Sequence, residues 1–146
     1  MDNSIKMFVS VLATAAALAG SAVAAECPGP NVRITEAEKK FAVILPAAAG
    51  MESQSFDDIG CSVLSRNSEC ASRQSTFDGY ALVADYLTGE QVPVEKAFFV
   101  LKANVKTPRE YGIVAFKEKA HALKFSAEHD GGNIVMWPAL IDSSLK

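Results

Sequence analysis

The sulfur atoms of this chain are its clearest candidates for chemistry. Cys61 follows Gly60 about one turn inside a predicted helix, where the helix N-terminus favours the negatively charged thiolate. Thiolates are soft ligands that suit Cu(I), and Gly60 leaves room for a ligand to approach. Cys61 is therefore the leading candidate for a metal ligand or a reactive thiol, although a cysteine on the inner face of a helix often serves only as a small hydrophobe.

Three further side chains could supply donors to the same metal ion. Cys27 lies on a polar arm that could reach many places, and Met51 falls in a predicted hairpin turn, an exposed position for an apolar residue. His121 is the positional counterpart of Cys61, because each lies five residues after a phenylalanine that ends a predicted strand. The residues alone leave a structural role open for each of them, beside that of a metal ligand.

The number of cysteines limits how they can pair. The chain has three cysteines, so at least one has no partner within the chain. One possibility is a structural disulfide, for example between Cys27 and Cys70, together with an inert buried thiol. The other is a thiolate kept for metal binding or redox chemistry, and the sequence leaves both open.

Other kinds of chemistry have little support in the sequence. It contains no CxxC or HExxH pattern, no GxSxG elbow and no glycine-rich phosphate loop. The net charge of −3 and the pI near 5.4 argue against a nucleic-acid partner. We expect a protein that is not an enzyme. A thiol enzyme with Cys61 as nucleophile stays an alternative, which requires His121 within hydrogen-bonding distance.

The first 25 residues have the pattern of a secretory signal peptide. Lys6 precedes a nearly continuous apolar run from Met7 to Leu18, and small residues follow as far as Ala25. A membrane anchor is the alternative, but no basic stop-transfer cluster follows the run. The sequence predicts cleavage after residue 25, a periplasmic location and no membrane span in the mature chain.

The mature chain predicts an α+β fold. Residues 26–40 form a polar N-terminal arm. Short segments with apolar residues predict strands at 41–45, 53–56, 80–84, 97–101, 113–116 and 133–137. One helix is expected after Asp57, its predicted N-cap, with Asp58 in the first turn, and another over 117–128. The polar stretch 66–78 is expected to be a connecting loop. Residues 41–95 and 96–146 each show the order strand, strand, helix, strand, which predicts a duplicated ββαβ unit.

Several segments resemble the NosL family of accessory proteins for nitrous oxide reductase maturation. They are FDDIGC (56–61), VADYLTGEQVPVEKAFFV (83–100), GIVAF (112–116) and the following EHDGG. The resemblance implies a duplicated ββαβ fold related to that of organomercurial lyase. It also implies Cu(I) binding, with delivery to a periplasmic copper enzyme such as nitrous oxide reductase or to its assembly proteins. The donors to Cu(I) would then come from Cys61, Cys27, Met51 and His121. Cys61 falls on the cysteine of the family.

Two segments depart from the pattern of that family. The family usually has a CxxCGM-like segment near the mature N-terminus, where this chain has CPGP with Cys27 alone. A TPMG-like segment often precedes the GIVAF strand, and here Arg109 stands in place of the methionine. A metal-free periplasmic interaction module that keeps only the fold is therefore the main alternative to a copper chaperone.

Overall fold

The computed structural model describes residues 26–145, and the expected signal peptide, residues 1–25, lies outside the described residues. Residues 26–145 form a mixed α+β structure with two small antiparallel sheets and four α-helices. This confirms the expected fold class at the level of α+β. Within residues 26–145, no helix is both long and apolar enough to cross a membrane.

The first sheet contains four strands in the order β2-β1-β3-β4. Their bounds are Val43–Leu45 (β1), Gln54–Phe56 (β2), Leu82–Ala84 (β3) and Gln91–Pro93 (β4). β1 lies at the centre, where Ile44 pairs with Ser55 on one side and with Leu82 on the other. The sequence predicted the first three strands, whereas β4 was missed because it has a single buried residue, Val92, between two exposed ones.

The second sheet contains three strands in the order β6-β5-β7. Their bounds are Phe98–Val100 (β5), Val114–Phe116 (β6) and Ile134–Val135 (β7). The central residue Phe99 pairs with Ala115 on one side and with Val135 on the other. All three strands coincide with predicted ones, although each is shorter than the apolar run in the sequence.

Four α-helices cover the sheets, and their bounds are Ile59–Asn67 (α1), Ala71–Tyr80 (α2), Lys119–Glu128 (α3) and Trp137–Ile141 (α4). The prediction of a loop over 66–78 is wrong, because α2 occupies most of that stretch. The sequence of α2 is polar, and Phe77 is its single buried residue. Apolar residues therefore do not recur at helical spacing, and the sequence gives no pattern that predicts this helix. The predicted cap of α1 is wrong by one residue, since Asp58 rather than Asp57 is the N-cap.

Aromatic rings pack helices α2 and α4 against the second sheet. Phe77 on α2 stacks on Trp137 of α4, with ring centroids 6.1 Å apart, and Phe99 of the second sheet lies 5.8 Å from the same indole. The indole nitrogen of Trp137 donates a hydrogen bond of 2.7 Å to Asp78. The buried ring thus keeps its polar atom satisfied while it fills the space between the helices and the second sheet.

Candidate thiol site at the start of helix α1

Cys27 and Cys61 are joined in a disulfide. Their Cα atoms are 5.4 Å apart, although 34 positions separate them in the sequence. The suggested pairing of Cys27 with Cys70 is therefore wrong, and Cys70 is an exposed free thiol rather than a buried one. Cys61 itself is 2% exposed, whereas Cys27 is partly exposed. The structure brings together two of the four predicted metal ligands.

Asp58 fixes the start of the helix that carries Cys61. One carboxylate oxygen of Asp58 accepts a 2.8 Å hydrogen bond from the backbone N–H of Gly60, and the other accepts one of 2.8 Å from the backbone N–H of Arg109. Burial raises the pKa of Asp58, and the hydrogen bonds from Arg109, Thr107 and Gly60 oppose that effect. A single side chain thus caps α1 and holds the loop before β6 against it.

Asp57 forms an ion pair with the same loop. Its side chain is 2% exposed, and one of its oxygens lies 2.7 Å from a terminal nitrogen of Arg109. The hydrogen bond to Asp57 raises the pKa of Arg109. The segment 107–110, where the NosL-like pattern has its TPMG stretch, therefore lies beside FDDIGC. The sequence identified both segments but did not predict that they touch, because 51 positions separate Asp58 from Arg109.

Tyr111 covers the helix next to the disulfide. Its ring lies against Gly60, where an added Cβ would be 2.2 Å from Cγ of the ring. Its hydroxyl oxygen is 3.6 Å from the sulfur of Cys27. Burial raises the pKa of Tyr111, and the negative charge of Asp58 adds to this effect. The phenol therefore stays protonated at neutral pH, and sequence reasoning missed it because nothing marks this tyrosine as different from the other two.

The N-terminal arm is attached to the edge of the first sheet. The backbone N–H groups of Asn31 and Val32 both donate to the carbonyl oxygen of Ser55 in β2, at 3.1 and 3.3 Å. The hydroxyl of Ser55 donates back to the carbonyl oxygen of Val32 at 3.1 Å. The arm is thus attached at two points, at Cys27 by the disulfide and at Asn31 and Val32 by hydrogen bonds to the edge strand β2.

Met51 lies in the interior and not in an exposed turn. Its side chain is 8% exposed, and its backbone bridges to Ala48 across a tight turn. It belongs to the same apolar cluster as Cys61. The expectation of an exposed methionine is therefore wrong, since the turn folds the side chain inwards, while its proposed role as a ligand stays a prediction.

His121 lies on the exposed surface of α3. It lines a cavity of about 210 Å³ together with Leu87, Phe116, Lys124, Phe125 and Glu128. Phe116 and Phe125 belong to an apolar cluster that is separate from the one containing Cys61 and Met51. Its part in a metal site also stays a prediction.

The structure brings the two cysteine sulfurs together without further acidic, histidine or cysteine partners. Over residues 26–145, no three His, Cys, Asp or Glu side chains are grouped so that they could hold a metal ion. As a dithiol, the pair would offer two soft donors at the first turn of α1, which is a donor set for a soft monovalent cation. Comparisons of the chain with protein-family models, curated proteins and solved structures gave no match.

Proposed function

We propose that this chain is an exported NosL-like accessory protein whose reduced cysteine pair binds Cu(I) and delivers it to a periplasmic copper enzyme such as nitrous oxide reductase. The observation that carries the proposal is the approach of Cys27 to Cys61 across 34 positions of sequence. Two sulfur donors in one place are the minimum that a Cu(I) site requires, and thiolates are the ligands that favour this ion.

The surroundings of Cys61 suit a thiolate ligand. Cys61 lies in the first turn of α1, where the helix dipole favours negative charge on its sulfur. The two neighbouring carboxylates add little repulsion, because Asp57 is paired with Arg109 and Asp58 accepts hydrogen bonds from two backbone N–H groups. The negative charges of Asp57 and Asp58 are therefore balanced by these partners and oppose the formation of a Cys61 thiolate only weakly.

The more accessible cysteine of the pair is Cys27, which lies on the N-terminal arm. Cys27 is partly exposed, and the first contact of its arm with β2 comes four residues later, at Asn31. Ligands of a recipient protein can therefore approach from the Cys27 side and displace the sulfurs one at a time. Transfer by ligand exchange requires such an incompletely enclosed site, and Cys61, 2% exposed, would be the last donor to release the ion.

We also infer that residues 41–95 and 96–146 are duplicated ββαβ units. Support comes from the strand order, since β1 and β5 each lie between the next strand and the one that follows the helix. The registers agree, because Ile44 and Phe99 occupy equivalent central positions. Cys61 and His121 are each the third residue of their helix. Export after removal of residues 1–25 is supported by the disulfide, which is typical of oxidising compartments.

A competition titration tests the copper proposal. The reduced, exported protein is titrated with Cu(I) against a chelator of known affinity, and Cys27→Ala, Cys61→Ala and Cys70→Ala variants are compared. We expect binding of one ion per chain that either of the first two substitutions abolishes. The matched control Cys70→Ala should bind like the parent, because Cys70 is an exposed thiol outside the pair.

The second candidate is a metal-free interaction module, and the attachment of the arm favours it. A disulfide that fastens the arm, together with the hydrogen bonds to Ser55, is sufficient as a purely structural element. This candidate predicts that the reduced protein leaves all Cu(I) with the chelator. Copper retained equally by all three variants would also contradict the two-sulfur site.

A further inference from the structure

The two sulfurs of the disulfide differ in their access to solvent. Cys27 is partly exposed at the start of the arm, whereas Cys61 is 2% exposed on α1. The ring of Tyr111 lies against the first turn of α1 at Gly60, next to Cys61 in the sequence. An incoming thiolate must reach a sulfur atom directly in order to exchange with it. Cys27 is the more exposed of the two cysteines, and the hydroxyl of Tyr111 lies 3.6 Å from one side of its sulfur.

We propose that the Cys27–Cys61 bond is opened by a protein dithiol, and that the reductant attacks the sulfur of Cys27. This inference rests on the proposed function for its purpose, because only the reduced pair can bind Cu(I). The exchange itself involves no metal. The partner is thus a dithiol protein of the kind that forms a mixed disulfide with its substrate.

The exchange proceeds in two balanced steps. In the first step, a thiolate of the reductant attacks the sulfur of Cys27 and forms a bond with it. The bond between Cys27 and Cys61 breaks, and its electron pair leaves on the sulfur of Cys61, which takes up a proton. The second thiolate of the reductant then attacks the first sulfur of the reductant, which is bound to Cys27 in the mixed disulfide. The bond to Cys27 breaks, and the released Cys27 thiolate takes up a proton. The reductant ends as a disulfide, and the cysteine pair has gained two electrons and two protons.

The buried position of Cys61 gives the exchange a direction. After the first step its sulfur stays on α1 in the apolar cluster, while Cys27 carries the reductant on the arm. The hydrogen bonds of Asn31 and Val32 to Ser55 keep the base of the arm in place. The mixed disulfide therefore projects from the surface, where the second thiol of the reductant can reach it.

A trapping experiment tests the site of attack. The oxidised exported protein, with Cys70→Ser to remove the free thiol, is mixed with a thioredoxin whose resolving cysteine is replaced by serine. Trypsin separates the two positions, since Cys27 lies in a peptide that ends at Arg33 and Cys61 in one that runs from Phe41 to Arg66. We expect the mixed disulfide on the Cys27 peptide in at least about tenfold excess.

Two results would overturn the inference: equal trapping on both peptides, or trapping only after the protein has been unfolded in denaturant. Single-cysteine variants provide an independent check. In a Cys70→Ser background, the Cys27 thiol of Cys61→Ser should react with iodoacetamide much faster than the Cys61 thiol of Cys27→Ser. These measurements contain no copper, so a failure of the exchange is distinguishable from a failure of the Cu(I) titration.

Discussion

The ring of Tyr111 occupies the space that any side chain at Gly60 would need. A Cβ atom at position 60 would lie 2.2 Å from Cγ and 2.4 Å from Cδ2 of the ring. The sequence suggested that Gly60 leaves room for a ligand beside Cys61. The room is instead filled by Tyr111, whose hydroxyl comes within 3.6 Å of the Cys27 sulfur. The absence of a side chain at Gly60 thus lets Tyr111 lie beside the disulfide.

Gly60→Ala should therefore both destabilise the protein and expose the disulfide. The added methyl group forces the ring of Tyr111 away from α1, and such overpacking typically costs about 1–3 kcal/mol. We expect a lower free energy of unfolding in denaturant titrations and faster reduction of Cys27–Cys61 by dithiothreitol.

Gly79→Ala is the matched control for this substitution. Gly79 also lies in a helix, α2, but nothing lies within 4 Å of a Cβ built there. Because alanine favours helix formation over glycine by about 1 kcal/mol, this variant should be as stable as the parent or more so, with an unchanged reduction rate. A Gly60→Ala protein that behaves like Gly79→Ala would show that Tyr111 moves away without cost.

The disulfide should make a large contribution to stability. It closes a loop of 34 residues, and the loss of chain entropy in the unfolded state corresponds to about 4 kcal/mol for a loop of this size. In a Cys70→Ser background, we expect the oxidised form to unfold at a clearly higher denaturant concentration than the reduced form. A Cys27→Ala/Cys61→Ala variant should be insensitive to the reductant. Equal unfolding midpoints for the two redox forms of the parent would contradict this estimate.

Arg109→Met restores the methionine of the NosL-like pattern, yet it should destabilise this chain. The substitution leaves the carboxylate of Asp57, 2% exposed, without its charged partner, which costs about 2–3 kcal/mol. A second substitution, Asp57→Asn, should recover part of the loss because it removes the unpaired charge. Thermal or denaturant unfolding at neutral pH measures both effects.

Arg73→Met is the control for the loss of a cation. Arg73 pairs with Glu69 at 3.6 Å on the exposed surface, and exposed pairs contribute about 0–1 kcal/mol. We therefore expect only a small change. If Arg109→Met were as mild as Arg73→Met, the role assigned to the Asp57–Arg109 pair would be wrong.

The sequence predicted those parts of the fold that carry a strong local signal. The apolar runs that contain Val43–Leu45 and Phe98–Val100 are strands because they can be buried on both faces. Helix α2 and strand β4 were missed because each buries only one residue, Phe77 or Val92. A polar element of this kind is held by tertiary contacts, such as the ion pair of Arg66 with Asp78, which local sequence patterns do not reveal.

The candidate site could be predicted only in part for the same reason. The identity of Cys61 and its place in the first turn of a helix follow from local residues. The approach of Cys27, the cover by Tyr111 and the contact of Arg109 with Asp57 all join positions that are far apart in sequence. Long-range contacts of this kind depend on how the sheets and helices pack, and a single sequence does not specify them.

Asp85 connects the two halves of the chain and should make stability depend on pH. One carboxylate oxygen accepts hydrogen bonds from the backbone N–H groups of Leu87 and Thr88, both at 2.9 Å. The other accepts one of 2.8 Å from the backbone N–H of Lys117, the residue that follows β6. Burial alone would raise the pKa of Asp85, but these hydrogen bonds outweigh it and hold the pKa below its ordinary value of 3.8.

The sign of the pH dependence follows from this lowered pKa. The folded state favours the charged carboxylate, so the stabilisation is complete above the unfolded value of 3.8 and is lost as the pH falls through the lower folded value. Asp85→Asn should cost about 2 kcal/mol at neutral pH, because hydrogen bonds to a charged acceptor are lost. The difference in free energy of unfolding between the parent and Asp85→Asn should become smaller at pH values below 3.8, the pKa of Asp85 in the unfolded chain.

Asp142→Asn is the control, since Asp142 is exposed at the end of α4 and surface substitutions usually change stability by less than about 0.5 kcal/mol. Urea titrations of the parent and both variants at a series of pH values separate the two residues. A gap for Asp85→Asn that stayed constant from neutral to acid pH would mean that the charged and protonated forms of Asp85 stabilise the fold equally. The link between β3 and β6 would then depend on the backbone bond from Tyr86 to Ala115, which does not titrate.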